Sequence, residues 1–389
     1  MNWDLTFALL FYSLLILFYF KNKKKFEVQN GIFFLYRTKL GLKLMEKISN
    51  KFPRLLKYFE NVNIIISFLG MFFIFAFLVY ATINLILNPD SQPALAPVLP
   101  GVQISPDLPI LGFWHWVIAI LFIAVVHEFS HGIYSVYHKI KVKSSGFAFL
   151  GPILAAFVEP DEKSLNKKSP KAQLSVFAAG PSSNIYSFII IFLISLFIIN
   201  PFAASYLEYE DVKIINVEQD SPFFNAGVGN GEIITSFNDK EIKSLYDFKD
   251  TLKDIKPEDN VDLLTLNNSY TIEIGEKNNN TFLGVTLTSD NVNIKEGFLN
   301  SIIGNTMVWV AKLFSWVYII SLGVGLFNLL PLGPIDGGRM LNVMLLRFFN
   351  ERKAKKIWLY VSFFCLFLIF VNLLPYFFKL FYFILNNVS

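Results

Sequence analysis

The chain has 389 residues, of which 54% are hydrophobic and 17% aromatic, and its mean hydropathy is +0.48. Charged residues make up 16%, against about 25% in an ordinary soluble domain. These values exclude a large soluble core and indicate an integral membrane protein. The single cysteine, Cys365, excludes an intrachain disulfide. The net charge is +4, but no nucleotide-binding glycine loop is present, and we expect no nucleic-acid partner.

Apolar stretches recur along the chain at lengths that suit a membrane crossing. The predicted fold class is therefore an α-helical polytopic membrane protein with about six transmembrane helices. The basic residues follow the first stretch instead of preceding it, so we interpret it as a retained span and not a cleaved signal peptide. The predicted spans cover residues 5–20, 62–87, 114–137, 172–199, 302–330 and 357–378.

The segment between the first two spans, residues 26–61, is rich in lysine and arginine. Its apolar residues recur every three or four positions, for example at Leu40, Leu44 and Ile48. This spacing favours an amphipathic helical segment on the membrane surface. A plain solvated connector is the alternative that the same spacing leaves open.

Lysine and arginine are distributed unevenly among the loops, which orients the spans. The loops after spans one, three and five are basic, whereas residues 89–112 after span two contain neither lysine nor arginine. The positive-inside rule then places the amino terminus and the polar region at residues 205–297 outside the cytoplasm.

An H-E-x-x-H motif lies in the third predicted span, where Glu128 follows His127 and precedes His131. On a helix, residues four apart lie on one face, about one turn from each other. Both imidazoles can then reach one zinc ion, with Glu128 beside the metal as a general base. Ionisable side chains inside a membrane are costly and so indicate function. The alternative is a chance match, or polar residues satisfied by neighbouring helices.

The motif also predicts the depth of the site. His127 lies thirteen residues beyond Trp114, about 20 Å along a helix. In a hydrocarbon core about 30 Å thick, the metal would lie in the cytoplasmic half of the bilayer.

Catalytic zinc takes three protein ligands, so the two histidines require a partner. His138 is about 10 Å further along the helix and too far away, and His115 lies near the outer end. Asp336 is favoured because prolines and glycines break the helix around it, and such breaks occur at membrane depth only beside protein or water. A helix C-terminal turn with a solvated aspartate is the alternative. The candidate acids near a membrane boundary are Glu159, Asp161, Glu162, Asp336 and Glu351.

Three motifs together resemble the site-2 protease family of intramembrane metalloproteases. Residues 127–131 read H-E-F-S-H, residues 180–184 read G-P-S-S-N, and residues 328–337 contain N-L-L-P followed by D-G. The resemblance covers about residues 113–345. The first two spans lie outside that shared core.

The resemblance implies that His127, His131 and Asp336 hold Zn2+ and that Glu128 activates water. It also implies that Asn184 and Asn328 help to position the substrate. For Asn184 an interhelical hydrogen bond is the alternative role.

Two accessory elements also resemble parts of this family. Residues 146–160 are apolar but too short to span, and their position is similar to that of a hairpin that dips into the membrane beside the zinc and could hold an unwound substrate as an added strand. A simple cytoplasmic linker is the alternative.

Residues 221–239 are similar to the S-P-A-x-x-A-G-L…G-D-x-I…N-G pattern of PDZ domains, with a strand at 214–217, a helix at 244–255 and closing strands over 260–274. A peptide ligand is implied for this domain.

The predicted organisation has four parts: residues 1–112 with two spans, the basic segment and an outer loop; 113–200 as the first half of a protease core; 205–297 as an inserted extracytoplasmic α+β PDZ-like domain; and 301–389 as the second half. The predicted function is an intramembrane zinc endopeptidase of the cell membrane that cleaves transmembrane segments of single-span proteins surrounded by lipid. The alternatives are a non-catalytic membrane chaperone or scaffold, and a transporter with a PDZ-like sensor.

Overall fold

A computed structural model describes residues 3–29, 33–88, 91–101, 108, 110–150, 153–277 and 280–388. The chain divides into two compact units. The core unit comprises Met1–Ser195 and Lys312–Ser389, and the inserted unit comprises Leu196–Ala311. The predicted PDZ-like region, residues 205–297, falls within the inserted unit.

The first half of the core unit alternates long helices with short strands. A 3-10 turn, Lys23–Lys25, follows the first helix. The elements are α1 (Trp3–Asn22), β1 (Phe26–Gln29), β2 (Phe33–Thr38), α2 (Leu42–Lys51), α3 (Pro53–Leu87), α4 (Phe113–Tyr137), β3 (Val142–Leu150), β4 (Ile153–Pro160), α5 (Glu162–Asn166) and α6 (Pro170–Ile194).

The inserted unit is mainly β-structure, and the chain returns from it to the core unit through a long helix. A π-helical turn, Ser195–Ile199, leads into it. The remaining elements are α7 (Asn200–Ala204), β5 (Leu207–Val217), α8 (Pro222–Asn225), β6 (Ile233–Phe237), β7 (Lys240–Glu241), α9 (Leu245–Leu252), β8 (Asn260–Thr265), β9 (Ser269–Glu273), β10 (Gly275–Lys277), β11 (Asn280–Phe282), β12 (Val285–Ile294), α10 (Phe298–Asn328), α11 (Asp336–Phe348) and α12 (Glu351–Val388).

Five helices in the described part of the chain are long and apolar enough to cross a membrane. The first predicted span forms α1, but its apolar part, Ala8–Asn22, is shorter than the other five. A sixth crossing therefore stays a prediction. The five helical stretches are Pro53–Leu87, Phe113–Tyr137, Pro170–Ala204, Phe298–Asn328 and Glu351–Phe378.

Helix α6 packs against three other helices of the core unit, α3, α4 and α11. It begins where the Ser169 hydroxyl accepts a hydrogen bond from Ala172 N–H and where Pro170 occupies the first helical position. Polar contacts join it to α3: the Ser67 and Ser182 hydroxyl oxygens are 3.0 Å apart. Small and hydroxylated residues are common at such interfaces because lipid provides no hydrophobic driving force between helices.

The prediction of a helical segment across residues 26–61 is wrong for its first part. Only residues 42–51 and 53 onward are helical, whereas β1 and β2 join β3 and β4 in a four-stranded antiparallel sheet of order β1-β2-β3-β4. The reason is a non-local pairing: β2 pairs with β3, with Arg37 opposite Gly146. The predicted hairpin at residues 146–160 is confirmed as β3 and β4, with β4 at the edge of this sheet.

The inserted unit contains a six-stranded sheet of order β12-β5-β6-β8-β9, with β7 paired to β6. Its core includes Phe223 and Phe237, both fully buried. Helix α9 begins with a capping box, in which Ser244 and Asp247 satisfy each other's backbone N–H groups. The predicted strand at 214–217, helix at 244–255 and closing strands at 260–274 are confirmed in outline.

One carboxylate organises the polar side of the inserted unit. The Thr265 and Tyr270 hydroxyls each donate to Glu232 at 2.7 Å, and Gly229 N–H donates at 3.0 Å. Burial raises the pKa of Glu232, but these hydrogen bonds outweigh burial and hold the pKa below its usual range. The charged carboxylate therefore stabilises the connection between β6, β8 and β9.

Candidate metal centre and active site

Helix α4 presents both motif histidines on one buried face. His127 is 8% and His131 9% exposed, and their Nε2 atoms lie 3.1 Å apart. The four-residue spacing produces this arrangement, since successive helical turns place such residues above one another.

Asp336 reaches the same point from another part of the chain. Helix α10 ends at Asn328, an irregular turn follows, and Asp336 is the first residue of α11. Its Oδ2 lies 3.1 Å from His127 Nε2 and 3.3 Å from His131 Nε2, and its side chain is only 12% exposed. The structure therefore brings the three predicted ligands together and does not leave Asp336 solvated.

Two glycines allow this turn to close. A Cβ atom at Gly337 would overlap the Leu329 carbonyl group, and a Cβ at Gly338 would overlap the Leu332 carbonyl group. The two glycines after Asp336 are therefore required, because the backbone there approaches the backbone of the preceding turn too closely for any side chain.

The far sides of both imidazoles are held by protein groups. His131 Nδ1–H donates to the Val176 carbonyl oxygen at 2.6 Å. His127 Nδ1 lies 3.1 Å from the side-chain amide nitrogen of Asn184. Among the described residues, the buried Asn184 Oδ1 has no hydrogen-bond partner. Rotating that amide by 180° brings Oδ1 to His127 Nδ1, where it accepts the Nδ1 proton.

That arrangement is the one a metal requires. A histidine that binds a metal through Nε2 carries its proton on Nδ1 and donates it to a neighbouring oxygen. With both Nδ1 atoms so engaged, two Nε2 atoms and one carboxylate oxygen point at each other, all within 4.8 Å. Two histidines and one carboxylate are a ligand set of catalytic zinc, so the residues fit that ion.

Gly180 of α6 lies directly against the cluster. A Cβ atom there would overlap the Nε2 atoms of both His127 and His131. The G-P-S-S-N motif therefore supplies two features of the site: a glycine that makes room for the imidazoles, and Asn184, fully buried behind His127.

Glu128 faces the hairpin. Its Oε2 accepts a hydrogen bond from Val158 N–H of β4 at 2.9 Å. This contact fixes the carboxylate beside a cavity of about 700 Å³ that is also lined by His127, His131 and Asp336. Asn328 lines the same cavity, and its amide donates to the Val324 carbonyl at 3.0 Å.

The structure adds Arg37 to this cavity, a residue that sequence reasoning missed. Arg37 donates to Glu159, to Ser144 Oγ at 2.9 Å and to Glu27 at 2.7 Å, which ties β1, β3 and β4 to β2. Leu35, two residues earlier on the same face, also lines the cavity. Leu35 and Arg37 share one face of β2 because side chains two residues apart in a strand point the same way, and this period of two is the sequence signal that could have indicated a strand here.

The other candidate ligands lie outside the cluster, although Glu159 and Glu162 line the same cavity; Glu351 is the first residue of α12. Asp161 is paired with Lys143 at 2.9 Å, and Glu162 lies 3.7 Å from Arg339. His138 Nε2 lies 3.1 Å from the buried Glu60 carboxylate. In the described part of the chain, His127, His131 and Asp336 are the only group of three or more His, Cys, Asp or Glu side chains close enough together to hold one metal ion.

Comparison with known proteins assigns the family. The model of Peptidase family M50 matches residues 115–376, more than half of the chain. The chain belongs to peptidase family M50, the site-2 protease family. As an M50 member with several apolar helices, it is a multi-pass membrane protein of a metalloprotease family.

Two relatives of this M50 protein extend the comparison. It is 31% identical over 364 residues to the uncharacterized protein MJ0971 of Methanocaldococcus jannaschii, covering 91% of this chain and 90% of that one. It is 24% identical over 229 residues to the zinc metalloprotease RasP of Oceanobacillus iheyensis, covering 46% of this chain and 52% of RasP. The match thus spans about half of RasP.

A solved structure matches a smaller part of the M50 chain. The match is to the PDZ domain of an SdrC-like protein from Listeria monocytogenes, with 24% identity and a TM-score of 0.20. The matched region covers 21% of this chain and 92% of the chain of that PDZ domain. The PDZ assignment of the inserted unit stays a prediction.

Proposed function

We propose that this protein is a zinc endopeptidase that cuts the transmembrane segments of single-span membrane proteins. The observation that carries the proposal is the convergence of His127, His131 and Asp336 on one point beside Glu128, in a cavity of about 700 Å³. The cavity lies in a unit built of membrane-length helices, and this favours substrates that are themselves embedded in lipid.

His127, His131 and Asp336 would hold the zinc ion. A zinc ion bound there would act as a Lewis acid, which would polarise the scissile carbonyl and make water nucleophilic near neutral pH. Glu128 takes a proton from the attacking water on its carboxylate and returns it to the leaving amine. The Val158 N–H orients the carboxylate for both transfers.

The two asparagines receive different roles. Asn328 lines the cavity, so we assign it to positioning the substrate peptide. Asn184 is buried behind His127, so its contact favours orienting the imidazole over touching the substrate directly. The edge of β4 offers backbone groups to an unwound substrate strand, which exposes its peptide bonds to Glu128.

The basic loops favour an orientation in which the zinc site lies in the cytoplasmic half of the bilayer and the inserted unit lies outside. A PDZ-like inserted unit would bind a peptide there.

The experiment compares wild type, Asp336→Asn and Asp161→Asn for zinc content and for cleavage of a single-span reporter in detergent. We expect Asp336→Asn to lose both, because a neutral amide is a poor zinc ligand. Asp161→Asn is the control: it removes an acid paired with Lys143 outside the cluster and should retain both. Retention of zinc and cleavage by Asp336→Asn would contradict the assignment.

A further inference from the structure

Glu128 lies in the wall between two cavities. On one side is the cavity that contains the three candidate zinc ligands. On the other side is a smaller cavity of about 190 Å³, which Glu128 also lines. Phe157 and Val158 of β4 contribute to both. The small cavity therefore adjoins the proposed catalytic base directly.

The lining of the small cavity is mainly apolar. Phe129 comes from α4, Phe147 from β3 and Ala156 from β4. Two hydroxyls at the margin are already hydrogen-bonded within the protein: Thr38 Oγ1 donates to the Ser145 carbonyl at 3.1 Å, and Ser145 Oγ donates to the Leu40 carbonyl at 2.6 Å. The cavity thus suits an apolar group better than a polar one.

The N-terminal segment, residues 38–45, provides one wall of this cavity and precedes the residues matched by the family model. It is held tightly against α4. Met45 is 1% exposed, and its sulfur packs against Gly132 of α4. The contact is so close that a Cβ atom at Gly132 would overlap the sulfur. Gly41 has φ +80°, and a Cβ there would lie 3.4 Å from the Phe129 ring. This chain's own N-terminal segment therefore closes one side of the cavity, while α4, β3 and β4 form the rest of its lining.

We propose that the small cavity binds one apolar side chain of the substrate, from a residue next to the scissile bond, and so selects the cleavage site. In a substrate extended beside β4, alternate side chains point to opposite faces, so one of them would enter the cavity. An apolar cavity of about 150 Å³ holds a benzene ring, so 190 Å³ suits a side chain as large as Leu, Met or Phe. This inference rests on the proposed function, because it requires a scissile bond at Glu128.

The test uses two adjacent alanines on β4. Ala156→Leu fills the cavity. Ala155→Leu is the matched control, because neighbouring strand residues point to opposite faces and Ala155 pairs with Ala148, whereas Ala156 pairs with Phe147. Both variants add the same side chain to the same strand.

The reporter is a single-span protein whose cleavage site is mapped and whose flanking residues are then varied from Ala to Leu, Phe and Asp. At one flanking position, wild type and Ala155→Leu should cleave the Leu or Phe reporter about tenfold better than the Ala or Asp reporter. Ala156→Leu should prefer Ala. If cleavage depends on Glu128 but all three proteins show the same preference among the flanking side chains, the proposed pocket is contradicted and the proposed protease activity is not.

A second readout does not require cleavage. Ala156→Cys and Ala155→Cys are each oxidised with reporters that carry one cysteine at successive positions; the natural Cys365 is buried. We expect a disulfide from Ala156→Cys to one or two reporter positions, and none of comparable yield from Ala155→Cys. Equal yields, or no disulfide at Ala156→Cys, would overturn the pocket. A selective disulfide with no cleavage by wild type would show that a substrate side chain binds in the cavity, but it would contradict the proposed cleavage and with it the selection of a cleavage site.

Discussion

At the scale of single residues, the positions of the two imidazoles in the candidate metal centre require a glycine beside them, at position 180. Gly180 leaves the space that the Nε2 atoms of His127 and His131 occupy. Gly180→Ala should displace one or both rings, since the backbone of α6 is packed between α3, α4 and α11 and cannot withdraw. We expect zinc affinity to fall about tenfold or more, measured by competition with a chelator.

Gly323 of α10 is the matched control. A Cβ atom there meets nothing within 4 Å, so Gly323→Ala should bind zinc as wild type does, and alanine is the better helix former. Equal zinc affinities for the two variants would show that the close approach at Gly180 does not matter to the site.

The three candidate zinc ligands and Glu128 were within reach of sequence reasoning, but the residues behind them were not. His127, Glu128 and His131 follow from the H-E-x-x-H spacing on a helix. The break in its helix favoured Asp336 but left a solvated turn as the alternative, and the family resemblance implied its role as a ligand. Asn184 was assigned to the substrate because a motif shows that a residue matters without showing which way it faces. Only the packing of α6 on α4 places its amide against His127 Nδ1.

At the scale of elements, the hairpin orients the proposed catalytic base, Glu128, through a backbone group. Val158 N–H points away from β3 and donates to Glu128. Val158→Pro removes that donor on the free edge of β4, where proline is tolerated. A hydrogen bond to a charged group contributes about 1.5–3 kcal/mol, so kcat should fall about ten- to hundredfold with zinc content unchanged.

Val158→Ala is the control, because it shortens the side chain and keeps the N–H. It should retain most of the wild-type kcat in the same reporter assay. A Val158→Pro protein as fast as Val158→Ala would mean that this hydrogen bond does not assist the base.

The sheet shows where sequence reasoning fails for elements. The hairpin itself was predictable, since residues 146–160 are apolar, too short to span and interrupted by Gly151-Pro152. Its partners β1 and β2 were not, because β2 pairs with β3 across more than 100 positions of the chain and β1 joins the sheet only through β2. The apolar spacing of three to four residues begins only at Leu40. The predicted helical segment also included residues 26–38, where β1 and β2 form instead.

Within the inserted unit, Glu232 predicts a dependence of stability on pH. Its pKa is lower in the folded unit than the ordinary value of 4.5. The contribution of Glu232 to the free energy of unfolding is therefore present above that value, and it is lost as the pH falls through the pKa of the folded state. The urea midpoint of the unit, followed by pulse proteolysis of the full-length protein, should decrease as the pH is lowered below about 4.5.

Glu232→Gln should remove much of that pH dependence and destabilise the unit by about 2 kcal/mol at neutral pH, since hydrogen bonds to a charged acceptor are replaced by weaker ones. The exposed Glu241→Gln is the control and should leave both the midpoint and its pH dependence as in wild type. Parallel pH curves for wild type and Glu232→Gln would contradict the role of this carboxylate.

At the scale of the whole molecule, the distribution of lysine and arginine predicts the sidedness. Two exposed positions test it: Glu241 in the inserted unit and Glu162 in α5, whose side chain is 72% exposed. A membrane-impermeant thiol reagent added to intact cells should label Glu241→Cys and not Glu162→Cys. The reverse labelling would invert the topology and place the zinc site in the other half of the bilayer.

The most direct test of the central claim is cleavage of a single-span reporter by purified wild type and by Glu128→Gln, with the zinc content of both measured and the cleavage site mapped. We predict that wild type contains zinc and cuts within the membrane segment. Glu128→Gln should keep the zinc and lose about 10²- to 10⁴-fold in rate, because it lacks the proton acceptor. Cleavage by Glu128→Gln at the wild-type rate, or a wild-type protein with neither zinc nor cleavage, would contradict the account.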